Sequence, residues 1–159
     1  MNNTRNRVCL WFDSELREAA EFYQATFPDT AIERLSLAPA DYPGGHAGDL
    51  LVLEMTIVGI PAVLLRGGPV FPQTEAFSFQ IVTKDQAETD RYWDAIVGNG
   101  GQESQCGWCK DRWGVSWQIT PRQLIAWQDD PPAVAARVFD AMLRMRKIDV
   151  AAIEAARKG

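Results

Sequence analysis

Residues 76–97, AFSFQIVTKDQAETDRYWDAIV, and residues 7–27, RVCLWFDSELREAAEFYQATF, carry the same order of signals, and that order decides the fold. In the later stretch Ala76 to Thr83 alternates, with Phe77, Phe79 and Ile81 on one side of a strand and Ser78, Gln80 and Val82 on the other. Asp85 followed three residues on by Glu88 is a helix-start signature. Thr89, Tyr92, Trp93, Ile96 and Val97 then recur at helical spacing until Asn99-Gly100-Gly101 ends the element. In the earlier stretch Arg7 to Phe12 reads as a strand apolar on both sides, expected inside a sheet covered on both faces. Asp13-Ser14 offers a cap, Leu16, Ala19, Ala20, Tyr23 and Phe27 form the apolar stripe, and Pro28 stops the helix after Phe27.

Outward from these two stretches the halves continue alike. A strand is expected over Thr30 to Leu37, a loop through Pro39, Pro43, Gly44, Gly45 and Gly48, and a strand pair, Leu50 to Val58 and Pro61 to Arg66, around Gly59. Gly67-Gly68-Pro69 through Pro72 reads as a linker. In the second half Glu103 to Trp108 and Val115 to Thr120 read as strands joined by a tight turn at Asp111 to Gly114. The whole is an internal duplication with βαβββ as the unit, an α+β fold in a single domain. Its first module covers about residues 5–66, its second about 75–120, and a helical extension about 121–159. In the extension Pro121 to Gln128 reads as a short helix. Pro131-Pro132 starts a second, with Val134, Val138, Met142, Met145 and Ile148 as its stripe, and Val150 to Arg157 forms a third, alanine-rich segment. These helices could pack on their own sheet or reach a second subunit.

Composition narrows the function. Of 159 residues, 16 are Lys or Arg and 21 Asp or Glu, a formal charge of −5, which argues against a phosphate backbone as partner. Hydrophobic residues at 47% with charged residues at 23% fit a globular chain and set wholesale disorder aside. No apolar run approaches the roughly 20 residues of a membrane span, and the polar opening MNNTRNRV has no signal core, so the cytoplasm is expected. Three cysteines, Cys9, Cys106 and Cys109, are too few to staple the chain and suit a reducing compartment.

The strings LWFD at 10–13, EAAEFY at 18–23, GGP at 67–69, QCGW at 105–108, GVSWQITP at 114–121 and AMLRMRKIDVAAIEAA at 141–156 resemble the PhnB-like family. That family belongs to the vicinal oxygen chelate superfamily, with the glyoxalases, bleomycin-resistance proteins and extradiol dioxygenases. The resemblance implies two βαβββ modules, each curling into a half-barrel, usually in a homodimer. Relatives are often labelled demethylubiquinone methyltransferases, but a methyltransferase needs a glycine-rich turn leading from a strand into a helix. Gly98, Gly100 and Gly101 follow a helix, and Gly67-Gly68-Pro69 leads into Pro72.

Catalytic members of the superfamily hold a divalent metal with His, Glu or Gln from the concave faces of their modules, and about three such donors are needed. By the resemblance the carboxy-terminal ligand position falls on Gln118, a neutral and weak candidate. His46, the single His, lies in the Pro/Gly loop. The first strand offers Cys9 and Trp11, or Val8 and Leu10, according to register. No cofactor is therefore expected, a divalent metal remaining the lesser reading.

Alternation points instead to a cup. If Phe77, Phe79, Ile81, Val115, Trp117 and Ile119 face the helices, then Ser78, Gln80, Ser116, Gln118 and Thr120 face the concave side, and Glu54 and Thr56 join them. The ligand-binding candidates are Glu54, Ser78, Gln80, Ser116 and Gln118. Glu54 is also the candidate catalytic residue, a general base if buried away from any cation and a solubilising charge if exposed. Arg66 could hold an anion or end a strand in solvent. The formal CxxC of Cys106 and Cys109 falls in strand and turn rather than at a helix start, which disfavours redox chemistry. Trp93 and Trp117 read as core, with Trp11, Trp108, Trp113 and Trp127 left open. The sequence thus reads as a PhnB-like small-molecule binder. One alternative is a divalent-metal-dependent lyase, isomerase or dioxygenase; another is an interaction protein whose cup is filled at a dimer interface.

Overall fold

In the computed structural model, which describes residues 5–159, β1 (Val8–Phe12) pairs not with the next strand but in parallel with β4 (Ile60–Arg66), Val8 opposite Ala62 and Phe12 opposite Arg66. Antiparallel β3 (Leu50–Ile57) and β2 (Ala31–Leu37) complete a four-stranded sheet in the order β1-β4-β3-β2. Helix α1 (Leu16–Thr26) packs on one side, its Leu16, Ala19, Ala20 and Tyr23 buried with Leu10, Phe12, Leu53, Met55, Ile57, Ala62 and Leu64 of the strands. The β3–β4 hairpin turns on Val58 (φ 46°) and Gly59 (φ 77°), both left-handed as a two-residue hairpin of this hand requires. Their amides donate to Thr30 Oγ1 and Asp29 O, each at 2.9 Å.

The second unit, Thr74–Gly159, repeats the plan. Strand β5 (Ser78–Thr83) pairs in parallel with β8 (Ser116–Pro121), and α2 (Gln86–Gly98) lies between them in the chain. Short β6 (Gln102–Glu103) and β7 (Trp108–Lys110) complete the order β5-β8-β7-β6, the same as in the first unit. Asp85 caps α2 by accepting from the Glu88 amide at 2.9 Å. Thr89, Tyr92, Trp93 and Ile96 are buried on α2, and Phe79, Ile81, Val115, Trp117 and Ile119 on the sheet. The duplication read from the sequence is therefore a duplication of topology.

Several boundaries move. β1 is an edge strand with one covered face: Leu10 and Phe12 are buried while Cys9 is exposed and Trp11 half-buried. Asp13-Ser14 does not cap α1; Glu15, at φ 59°, takes the N-cap position without a side-chain capping bond to the helix. The strand expected over Glu103 to Trp108 is broken by a turn in which Cys106 (φ 58°) and Gly107 (φ 84°) are left-handed. A side chain at Gly107 would stand 3.0 Å from Ile119 O and 3.1 Å from Ile148 Cγ1, so the turn requires glycine. Phe77 precedes β5 and is exposed.

The extension comprises α3 (Arg122–Ile125), a 3-10 turn (Ala126–Asp129), α4 (Pro132–Met142) and α5 (Val150–Lys158). Met145 and Ile148 lie beyond α4, in the connector to α5, rather than on its stripe. With Leu124, Val138 and Ile153 they form a small core of their own. The connector is fixed to its own unit. Cys106 and Gly107 donate their amides to Met145 O and Arg146 O at 2.8 and 2.7 Å, and Gln86 bonds to both Ile148 O and the Val150 amide.

Asp111 sets the β7–β8 register. Its buried carboxylate accepts from the Trp113 and Val115 amides, each at 3.0 Å, and from Trp117 Nε1 at 2.9 Å. Asp111→Ala should lower unfolding free energy by about 3 kcal/mol, because it strands buried donors, with Asp111→Asn costing less; urea denaturation measures both. Val58→Asn should raise stability by about 1 kcal/mol, since Val is strained in the left-handed region and Asn tolerates it; an unchanged or lower urea midpoint would contradict this.

Candidate functional site

The face of the second sheet turned away from α2 collects the polar side chains. Ser78 and Gln80 of β5 stand opposite Ser116 and Gln118 of β8, and Trp108 of β7 stands opposite Gln118 on its other side. Gln118 is the hub: its Nε2 donates to Ser78 Oγ at 2.9 Å, and its Oε1 accepts from Gln80 Nε2 at 3.3 Å. Ser116 is buried and its hydroxyl has no hydrogen-bond partner. Lys110, opposite Ser116, is ion-paired with Glu75, and the bond from Lys110 holds the Glu75 carboxyl below its ordinary range.

A cavity of about 210 Å³ opens on this face. The sheet and its turn supply Gln80, Trp108, Gln118, Thr120 and Cys106; the extension supplies Leu124, Ile125, Trp127, Gln128 and Met142. The sequence left Trp108 and Trp127 open and assigned Met142 to a core stripe. What brings them together is the fold of the extension over its own sheet, for which periodicity has no signal; the only hint was a surplus of tryptophans without a place in any stripe.

The first unit places its candidates differently. Glu54 is half-buried and paired with Arg7 at 3.2 Å, so the condition for a general base, burial away from any cation, is not met. Thr56 shares its face and donates to Glu33 at 2.6 Å. Trp11 Nε1 donates to Gly68 O at 2.7 Å, holding the linker against β1. Arg66 pairs with Asp49 at 3.3 Å and, with Arg17, Glu15 and Glu18, lines a second recess of about 280 Å³ where both signs of charge meet. His46 is exposed, 3.6 Å from Asp41.

A divalent cation needs about three donors of carboxylate, thiolate or imidazole type. No three His, Cys, Asp or Glu side chains gather at such a point among the described residues. Around Gln118 the side chains are neutral amides and hydroxyls with the single thiol of Cys106 on the same cavity, short of the three donors a divalent metal needs. Among the described residues no glycine turn leads from a strand into a helix in the way a methyl donor's binding loop requires: β4 runs through Gly67-Gly68 into a segment without helix.

Two mixed four-stranded sheets of identical order, each built from a βαβββ unit with its helix on one face, define an α+β protein of the glyoxalase-like fold. The chain belongs to the PhnB-like family described as 3-demethylubiquinone-9 3-methyltransferase, whose profile matches residues 4–120. A PhnB protein from Bacillus cereus is similar in structure, with 23% identity and a TM-score of 0.65 over 74% of this chain and 99% of that one. Protein PA1353 from Pseudomonas aeruginosa follows with 17% identity and a TM-score of 0.60 over 75% and 98%. FosX, a fosfomycin resistance protein from Listeria monocytogenes solved with Mn(II) and sulfate, shares 16% identity at a TM-score of 0.51 over 74% and 90%. No curated protein is similar enough in sequence to count as a match.

The cysteine pair does not form a redox motif. Cys106 sits in the turn and Cys109 is buried in β7, its thiol pushed up to about 12 by burial first and then by the charges of Asp111 and Glu103. A disulfide reagent at pH 8 should therefore label Cys109 only after unfolding. Because the folded thiol holds its proton more tightly than the unfolded one, this contribution to stability is present below the ordinary value of 9.0 and is lost as pH rises from 9.0 towards 12. Labelling of Cys109 in the native protein as fast as in urea would contradict this assignment.

Proposed function

We propose that this protein binds a small molecule on the polar face of the second sheet, with Gln118, Gln80 and Ser78 as the polar floor and Ser116 beside them. The observation that carries the reading is the cavity over Gln80, Gln118 and Thr120, walled by Trp108 and Trp127. A concave site with an apolar, aromatic rim and a few convergent polar groups is the usual recipe for small-molecule recognition. Glu54 is assigned to holding Arg7 rather than to the ligand.

A homodimer belongs to the same proposal. It is supported by edge strand β2, whose Leu35 and Leu37 are exposed, because an open apolar sheet edge is normally covered. Three free cysteines support a reducing, cytoplasmic setting. No helix among the described residues is long and apolar enough to cross a membrane.

Native mass spectrometry of protein purified without chelator tests the reading, followed by tryptophan fluorescence against a panel of small metabolites. The expected result is a dimer with a bound small mass, or a saturable fluorescence change, that Gln118→Ala weakens by about tenfold and Glu54→Gln leaves unchanged. A bare protein with no fluorescence response across the panel would overturn it.

A further inference from the structure

The cavity on the second sheet is lined by ten residues, none of them charged. A ligand bearing a full charge would give up part of its hydration there without meeting a counter-charge on the lining, which disfavours it against a neutral ligand of the same shape. The cavity carries three primary amides, Gln80, Gln118 and Gln128, and each offers donors and an acceptor side by side. The Gln80–Gln118 bond uses one donor of the first and one lone pair of the second, so both keep capacity for a partner. Trp108, Trp127 and the Met142 thioether supply flat and polarizable apolar surface, suited to a ring. At about 210 Å³ the space falls below the roughly 300 Å³ at the lower end of drug-sized pockets, room for a single ring with one substituent.

We infer that the cavity takes an uncharged, planar, single-ring compound whose edge presents a donor beside an acceptor, as an amide, lactam or imide does. This rests on the small-molecule reading of the same site and names its ligand class. Half of the lining, including Trp127, Gln128 and Met142, comes from beyond residue 120, where the family match ends. The choice of ligand is accordingly set by the extension together with the second module, Trp127 and Gln128 adding to the floor that Gln80 and Gln118 supply.

The experiment uses three probes of nearly one shape, benzamide, benzoate and benzylamine, titrated into the full-length protein. The readout is the tryptophan indole N–H resonances, with those of Trp108 and Trp127 assigned from Trp108→Phe and Trp127→Phe. Benzamide should shift both resonances saturably, and the two charged probes should bind at least roughly tenfold more weakly. Trp127→Ala and Gln128→Ala, both at exposed positions, should each weaken benzamide by at least roughly threefold while leaving the urea midpoint in place. Benzoate or benzylamine binding as tightly as benzamide would overturn the ligand class and leave the cavity a ligand site. No probe moving either resonance would overturn the class, while the small-molecule reading falls only if the native protein is also bare and unresponsive across the metabolite panel. Benzamide affinity unchanged in both extension variants would overturn the role given to the extension.

Discussion

One carboxylate holds the second unit in register. Asp111 stands buried at the end of β7 and gathers two backbone amides of the following turn together with the indole N–H of Trp117 on β8. A buried carboxylate left without donors would be expensive, so the turn, the strand that follows and the fully buried Trp117 are specified together. The register that results sets Cys109 opposite Trp117 and Trp108 opposite Gln118. A slip of one residue would exchange the two faces of β8, placing Gln118 in the core and Trp117 on the polar face.

The attachment of the extension depends on that register in turn. The left-handed turn at Cys106 and Gly107 presents two amides to the connector after α4, while Gly107 O accepts from Ile119 of β8. Lys147 bridges Asp90 and Asp94 on α2, and its ammonium is held above its ordinary pKa chiefly by the bond to Asp90. Asp90 is held below its own, first by Gln86 and then by Lys147. These exposed pairs add little energy individually, but with the two Gln86 bonds they fix where α4 and α5 lie. That position places Trp127, Gln128 and Met142 beside the sheet.

Much of this was legible in advance, for reasons particular to each element. Alternation in AFSFQIVT assigned Phe79 and Ile81 to the core and Ser78 and Gln80 to the opposite face, because a strand leaves its side chains no other choice. Asp85 and Glu88 placed the start of α2 because an uncapped helix end leaves amides unpaired. Asp13-Ser14 misled, since the chain leaves β1 through a left-handed Glu15 that no side-chain pattern announces. The turn at 104–107 was likewise hidden, because the left-handed residue beside Gly107 is a cysteine, which carries no turn signal.

The sequence by itself determined the duplicated βαβββ plan, the two cores and the polar face of the second sheet, since each follows from short-range periodicity and capping that act wherever the chain is placed. Tertiary structure alone decided three things: the partner of Glu54, the burial of Cys109, and the meeting of Gln80, Trp108 and Gln118 with Trp127, Gln128 and Met142 around one cavity. Those depend on contacts between residues far apart in the chain, and such contacts are fixed by shape and by which buried polar groups find partners rather than by any local pattern.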